Sequence, residues 1–252
     1  MPLRFSANLG MLWTELALPD AIRAAAKAGF EAVEFQCPYT TDAATIKAVL
    51  KDTGIPALNL NTEHGTTFGN AALSDNILEA RAAIDAAIIY AAEIGARKIH
   101  VLTGVTSDVF AHETFLDNLL YALEQTENHN LTLLIEPINR RDIPGYFLHS
   151  ASQAATIISE ISDPNLQLMF DCYHMQISEG EVAPLLEKML PIIGHIQIAS
   201  VPDRHEPDEG VLDYRHIFEH IQTIGYTGYI GAEYRPRGTT ESGLGWMKTL
   251  TV

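Results

Sequence analysis

Cysteine is nearly absent from this 252-residue chain: Cys37 and Cys172 are the two, far apart and in no CxxC pair. That excludes a disulfide framework and a thiolate zinc site, and leaves two reduced thiols as the plain reading. Basic residues are scarce as well, with 16 Lys plus Arg against 32 Asp plus Glu and a formal net charge of −16. A protein that grips phosphate backbones needs a basic face to release counterions, so nucleic acid is not an expected partner. No apolar run approaches the roughly 18 residues of a membrane span, and the opening MPLRFSANLGMLW lacks the pattern of a leader. The expectation is a cytoplasmic protein without a membrane partner; composition leaves a homo-oligomer open. GxGxxG, GxxxxGKS/T, HExxH and GxSxG are all missing, which weakens the case for nicotinamide redox chemistry, phosphoryl transfer and serine hydrolysis.

The chain does have ample material for a core: 47% of its residues are hydrophobic and only 19% charged, which separates it from disordered sequences. Eight short apolar runs, at residues 4–8, 32–35, 57–61, 98–102, 131–136, 166–171, 193–199 and 229–233, alternate with longer amphipathic segments. The clearest helical pattern spans 77–94, with Ile77, Ile84, Ala87, Ile88 and Ala91 on one face and Gly95 as the stop. A second spans 112–128 through Phe115, Leu119 and Leu123, and the first helix has Asp20 placed to start it and Gly29 to end it. Eight units in 252 residues give about 31 each, the length of a strand plus its crossover helix. With no linker or low-complexity tract between them, the α/β class is expected as one (β/α)8 TIM barrel over residues 1–252, with a doubly wound open sheet as the alternative.

The last four runs each carry a metal-capable oxygen at or near the C-terminal end: Glu136 in LTLLIEPIN, Asp171 in LQLMFDCYH, Gln197 in IGHIQIAS and Glu233 in YIGAEYRPRG. In a barrel those ends converge on the face where active sites are built, and strand alternation lets each point inward. Three buried carboxylates would repel one another and lose hydration. A divalent cation relieves that cost, and three carboxylates with one amide oxygen and no thiolate suit Mg²⁺ or Mn²⁺. Any one of them alone reads equally as a capping or ion-paired acid; four in succession point to a site. His174, three residues after Asp171, is expected as a substrate contact or supporting group, His195 as a packed core histidine, His64 on the NTEHGTTFGN loop as a weaker substrate contact, and His100 as weaker still.

Arg140, Arg141, Arg204, Arg235 and Arg237 follow the fifth, seventh and eighth runs and are half of the ten arginines. Beside a metal site on an acidic protein, that clustering suggests a small anionic hydroxy or oxo acid as the partner, since Arg holds a carboxylate bidentately. Arg204 is the chosen candidate; local pairing with Asp142, Asp203, Glu206 or Asp208 is expected to absorb at least two of the five. A metal that binds a carbonyl and an adjacent hydroxyl acidifies the C–H between them, and flanking carboxylates can remove and return the proton. Glu136 and Glu233 are placed for that on opposite sides, which is aldose–ketose chemistry. Residues 63–70 and 142–147 are long enough to act as lids, with Gly65, Gly69 and Gly145 as hinges.

The segments RFSANLGMLW, AGFEAVEFQCPY, LLIEPINRRDIPGYFL, FDCYHMQ, HIQIASVPDRHEPDEG and GAEYRPRGTTESGLGW, spread over the whole length, resemble the hydroxypyruvate isomerases of the xylose-isomerase-like barrel superfamily. The resemblance implies a metal-dependent, redox-free conversion of hydroxypyruvate to tartronate semialdehyde, with Glu136 and Glu233 as proton donor and acceptor and Glu136, Asp171, Gln197 and Glu233 as metal ligands. It also implies that the 204–207 segment lies over the substrate. Related ketose 3-epimerases carry His as the strand-seven ligand where this chain has Gln197, which favours the hydroxypyruvate branch. The 2-oxotetronate isomerases share the same motifs, and EPIN and DIPG favour hydroxypyruvate over them. Outside these enzymes, a nuclease on the same barrel would call for several zinc ions, many histidines and a basic groove, and a non-catalytic metabolite sensor would not need both glutamates.

Overall fold

Alternating side-chain direction along short apolar runs dictates a sheet buried on both faces, and the computed structural model, which describes residues 2–251, closes that sheet on itself. The strands are β1 (Arg4–Asn8), β2 (Ala32–Phe35), β3 (Ala57–Asn61), β4 (Lys98–His100), β5 (Thr132–Ile135), β6 (Leu166–Asp171), β7 (Ile193–Ile198) and β8 (Tyr229–Ala232). They pair in chain order, all in parallel, and β1 returns to β8 with Arg4 opposite Tyr229 and Ala7 opposite Ala232. Closure excludes the open doubly wound sheet. Four strands stop short of the expected ends at 102, 136, 199 and 233 because the chain leaves the ladder there. Leu102 and Ala199, for example, donate their amides to Thr62 Oγ1 and Tyr214 Oη rather than to a strand.

The connecting helices are α1 (Leu18–Ala28), α2 (Ala43–Thr53), α3 (Ile77–Ile94), α4 (Ala111–Thr126), α5 (Ala151–Ile161), α6 (Cys172–Ser178), α7 (Val182–Met189) and α8 (Tyr214–Thr223), with two single turns, α9 (Thr240–Gly243) and α10 (Trp246–Thr249), at the end. Asp20 does not start α1. Ala17 occupies the N-cap without a side-chain bond, Pro19 pre-sets the first turn, and Asp20 inside that turn pairs with Arg23 at 2.9 Å. Gly29 ends the helix at φ +94°, in the left-handed region. The expected 112–128 helix begins one residue earlier and ends at Thr126. No helix among the described residues is long and apolar enough to cross a membrane.

The strands divide their side chains between two environments. Phe5, Val33, Phe35, Ile99, Leu133, Leu168, Phe170, Ile196 and Ile230 join Ile22, Ile84, Phe115, Leu119, Ile157 and Phe218 of the helices in one continuous buried apolar layer. At about 25 cal/mol per Å² of apolar surface removed from water, that layer is the main favourable term for folding. The opposite face of the same strands lines the barrel lumen, where Ser6, Asn8, Glu34, Asn59, His100, His195 and Gln197 are all buried. A lumen this polar is stable only where its groups satisfy one another.

Candidate active site

The carboxyl ends of β5 to β8 bring the four expected oxygen ligands together. Glu136 follows β5, Asp171 ends β6, Gln197 lies in β7 opposite Asp171, and Glu233 follows β8; all four are buried. Asp171 also starts α6, accepting the Tyr173 amide on Oδ1 at 2.8 Å, so the capping bond that fixes the helix fixes the acid's second oxygen toward the lumen. One helical turn on, His174 Nε2 sits 3.6 Å from Asp171 Oδ2 and 3.8 Å from Glu136 Oε1. Its other ring nitrogen meets the Asn139 side chain at 2.6 Å, which fixes the ring. The donor atoms of Glu136, Asp171 and His174 lie within 4.8 Å of one another, close enough to share a cation.

Glu233 is held differently. Its Oε1 accepts from Asn8 at 2.9 Å and Gln36 at 3.1 Å, and Oε2 accepts from Arg204 Nη2 at 2.7 Å. The same Arg204 nitrogen reaches Asp171 Oδ2 at 3.1 Å, and the guanidinium lies 4.8 Å from the centre of the Tyr173 ring. Arg204 takes φ +56°, a left-handed conformation costly for a residue with a Cβ, and its backbone is locked there by bonds to Ser200 and Arg235. Its Nε is buried and without a partner.

The electrostatics follow from crowding acids in a dry place. Burial, then the charges of Glu233 and Asp171, raise Glu136 well above the usual carboxylate range. For Asp171, burial together with Glu233 outweighs the Arg204 guanidinium and pushes the group up to about 7. Burial and Arg204 hold His174 well below its ordinary value, so it is a neutral imidazole, and because Nδ1 accepts the Asn139 backbone N–H at 3.3 Å the ring hydrogen sits on Nε2, facing the acids. Burial lowers His100 to about 3; its Nδ1 lies 3.5 Å from Glu136 Oε2. Glu136 Oε1 and Gln197 Oε1 are buried acceptors with no hydrogen-bond partner. Two orphaned oxygens and two raised acids fit a bound divalent cation, since a cation answers both deficits.

Above this cluster opens a cavity of about 570 Å³, lined by Glu136, His174, Arg204 and Glu233 on the floor and by His64, Phe68, Arg141 and Arg235 at the mouth. His64 is half-buried, its ring beside Phe68 with centroids 6.1 Å apart, and burial lowers its pKa. Of the five clustered arginines, Arg237 is spent on Glu206, Asp208 and Glu209 at 2.6–2.9 Å, and Arg141 bonds Asp142 and the Tyr173 hydroxyl. Glu206, expected over the substrate, is buried and serves Arg237. The two expected lids are tied to β4's continuation by isolated bridges, Gly69 with Thr103 and Tyr146 with Val105. A second recess of about 650 Å³, between Trp13 and Asp42, offers Cys37 and Asp42 as its titratable lining.

Sequence reasoning passed over Asn8, Gln36 and Glu34. Glu34, the acid inside AVEF, carries the signal that identified Glu136 and Asp171, an acid at an inward position of an apolar run, but on β2 rather than the last four strands. His195, expected in the core, is buried as expected, yet its Nε2 lies 2.9 Å from Glu34 Oε1.

The family model described as xylose isomerase-like TIM barrel matches residues 22–250. A 2-oxo-tetronate isomerase of Cupriavidus necator is 45% identical, covering 97% of each chain. A Danio rerio protein provisionally named hydroxypyruvate isomerase is 40% identical over 98% of this chain and 95% of its own. Among solved structures, an AP endonuclease, family 2, from Brucella melitensis superimposes with TM-score 0.94 at 41% identity and 98% coverage of both chains.

Proposed function

Since this chain belongs to the xylose isomerase-like TIM barrel family, we propose that it is a metal-dependent isomerase interconverting hydroxypyruvate and 2-hydroxy-3-oxopropanoate. The observation that carries the reading is the pair of buried glutamates, Glu136 and Glu233, on the floor of one cavity with His174, and with Asp171 beside them. Mg²⁺ or Mn²⁺ would be held by Glu136, Asp171, Gln197 and Glu233, with His174 within reach, and when bound supplies polarisation of the substrate carbonyl and its neighbouring hydroxyl.

The protein's own groups then account for the rest. One glutamate takes a proton from C3 of hydroxypyruvate and the other returns one to C2, while the proton of the C3 hydroxyl passes to the C2 oxygen, so the carbonyl moves from C2 to C3 with no net redox change. Asn8, Gln36 and Arg204 keep Glu233 oriented for that transfer. Arg204, through its unpaired Nε, and Arg235, exposed at the cavity mouth, receive the substrate carboxylate. His64 and His174 complete the substrate contacts. The name of the solved relative would suggest DNA instead; a chain with twice as many acids as bases opposes a polyanion, while Arg204 and Arg235 at the cavity suit a small carboxylate.

A second reading is favoured by one observation: the 45%-identical relative is named for a four-carbon acid. Proton NMR on metal-stripped protein with hydroxypyruvate, before and after adding Mg²⁺ or Mn²⁺, tests both. Metal-dependent conversion is expected. Turnover of only a four-carbon 2-oxo acid would keep the mechanism and replace the substrate; turnover of neither, with a neutral ketose accepted, would overturn the carboxylate assignment.

A further inference from the structure

Beneath the cavity floor, the lumen holds another buried carboxylate, Glu34 on β2, with no exposed surface. It gathers four side chains from three other strands: Ser6 Oγ of β1, Asn59 Nδ2 of β3 at 3.4 Å, and from β7 both His195 Nε2 at 2.9 Å and Gln197 Nε2 at 2.8 Å. Gly231 of β8, opposite Gln197 in the register, makes the room. A Cβ there would lie 2.2 Å from Glu34 Oε1 and 2.9 Å from Gln197 Cγ, so any side chain would displace the pair.

A glutamine side chain has two ends of nearly equal size and opposite chemistry, and nothing in its shape decides which end faces a site. A carboxylate decides it, because an ionised carboxylate accepts and does not donate. The end of the Gln197 amide that meets Glu34 must be the NH₂, and Oε1 is turned away from Glu34, buried and unpartnered. We infer that Glu34 is a positioning residue that fixes the Gln197 amide so that its oxygen, and not its NH₂, is presented to the metal site. The inference rests on the metal reading given above, and Glu34 itself touches neither substrate nor metal.

Glu34→Gln tests it, because the new amide can donate as well as accept and so releases Gln197 to turn over. Calorimetric titration of the metal-stripped protein with Mn²⁺ should show affinity lowered about 10–100-fold, the usual effect of losing a group that orients a ligand, while the unfolding midpoint changes little. Gln197→Ala should lower the affinity too, and adding Glu34→Gln to it should cause no further loss, since no amide is left to orient. Wild-type Mn²⁺ affinity in Glu34→Gln, or an equal additional loss in the double variant, would overturn the inference. Should Glu34→Gln fail to fold, side-chain NMR of the wild type decides: the Gln197 NH₂ is expected to stay protected from exchange before and after Mg²⁺ loading, and rapid exchange in the loaded protein would overturn it. A wild type that binds no Mn²⁺ would remove the metal reading and this inference with it.

Discussion

On β6, Leu168 and Phe170 join the apolar layer under the helices, while Asp171, one residue further on, turns into the lumen among other acids. The same contrast repeats on β7, where Ile196 and Ile198 pack outward and His195 and Gln197 reach Glu34. The outer layer gains free energy from every residue independently of its exact partner, because burial of hydrocarbon is non-directional. The lumen cannot: each polar group there is favourable only with its specific partner, and an orphan such as Glu136 Oε1 is a net cost until something binds it. Stability and chemistry are thus separated by the strand's two faces, and substitutions on either face should report differently.

The largest effect is expected in the lumen, on rate rather than on the fold. Glu233→Gln keeps the shape and loses the proton carrier, so turnover should fall about 10²–10⁴-fold with the fold intact; full activity with unchanged stability would break the separation. On the outer face, Leu133→Ala should cost about 2–5 kcal/mol of unfolding free energy, read by denaturant titration, because it empties a fully buried site in the apolar layer. Its Mn²⁺ affinity should match the wild type, and a large loss of metal binding would show the two faces to be coupled.

A pH series sharpens the comparison further. Asp171, pushed up to about 7, keeps its proton well above the ordinary carboxylate range, and a cation must displace it. Mn²⁺ affinity should therefore rise as pH climbs toward and through about 7, with proton release visible as buffer-dependent heat. The same raised group makes the metal-free protein lose stability as pH rises from its ordinary value of 3.8 to about 7, since the folded state binds the proton more tightly than the unfolded one across that window. Flat Mn²⁺ affinity from pH 5 to 8 would contradict this. The smallest effect on stability is expected for Glu136→Gln, whose turnover should fall as that of Glu233→Gln does: removing a buried carboxyl that burial, Glu233 and Asp171 all disfavour as an anion should raise the metal-free unfolding midpoint by a few degrees at alkaline pH while weakening Mn²⁺ binding. A lower midpoint would show that Glu136 contributes structure rather than cost.

The barrel was legible because strand alternation and helix period are strong, local signals: the expected runs 4–8, 32–35, 57–61 and 166–171 coincide with β1, β2, β3 and β6. The ends at 102 and 199 were not, since their amides go to side chains of Thr62 and Tyr214 that no local pattern announces. The convergence of Glu136, Asp171, Gln197 and Glu233 followed from topology once eight strands were granted. Which arginine faces the acids did not, because Arg204 and Arg237 find partners about 30 residues or more away that depend on loop paths. Glu34 lay in plain view as an acid in an apolar run; its role needed the Gly231 opening on the far side of Gln197, a fact of register and not of sequence.

The central claim is that two separate glutamates, one on each side of the substrate, carry the proton. Following hydroxypyruvate turnover in D₂O by proton NMR tests it most directly. Transfer by two groups predicts a product carrying solvent deuterium at C2, because the proton taken from C3 and the one returned to C2 reside on different side chains. A product whose C2 hydrogen came wholly from C3 of the substrate, without deuterium, would contradict the account and point to direct transfer between the two carbons.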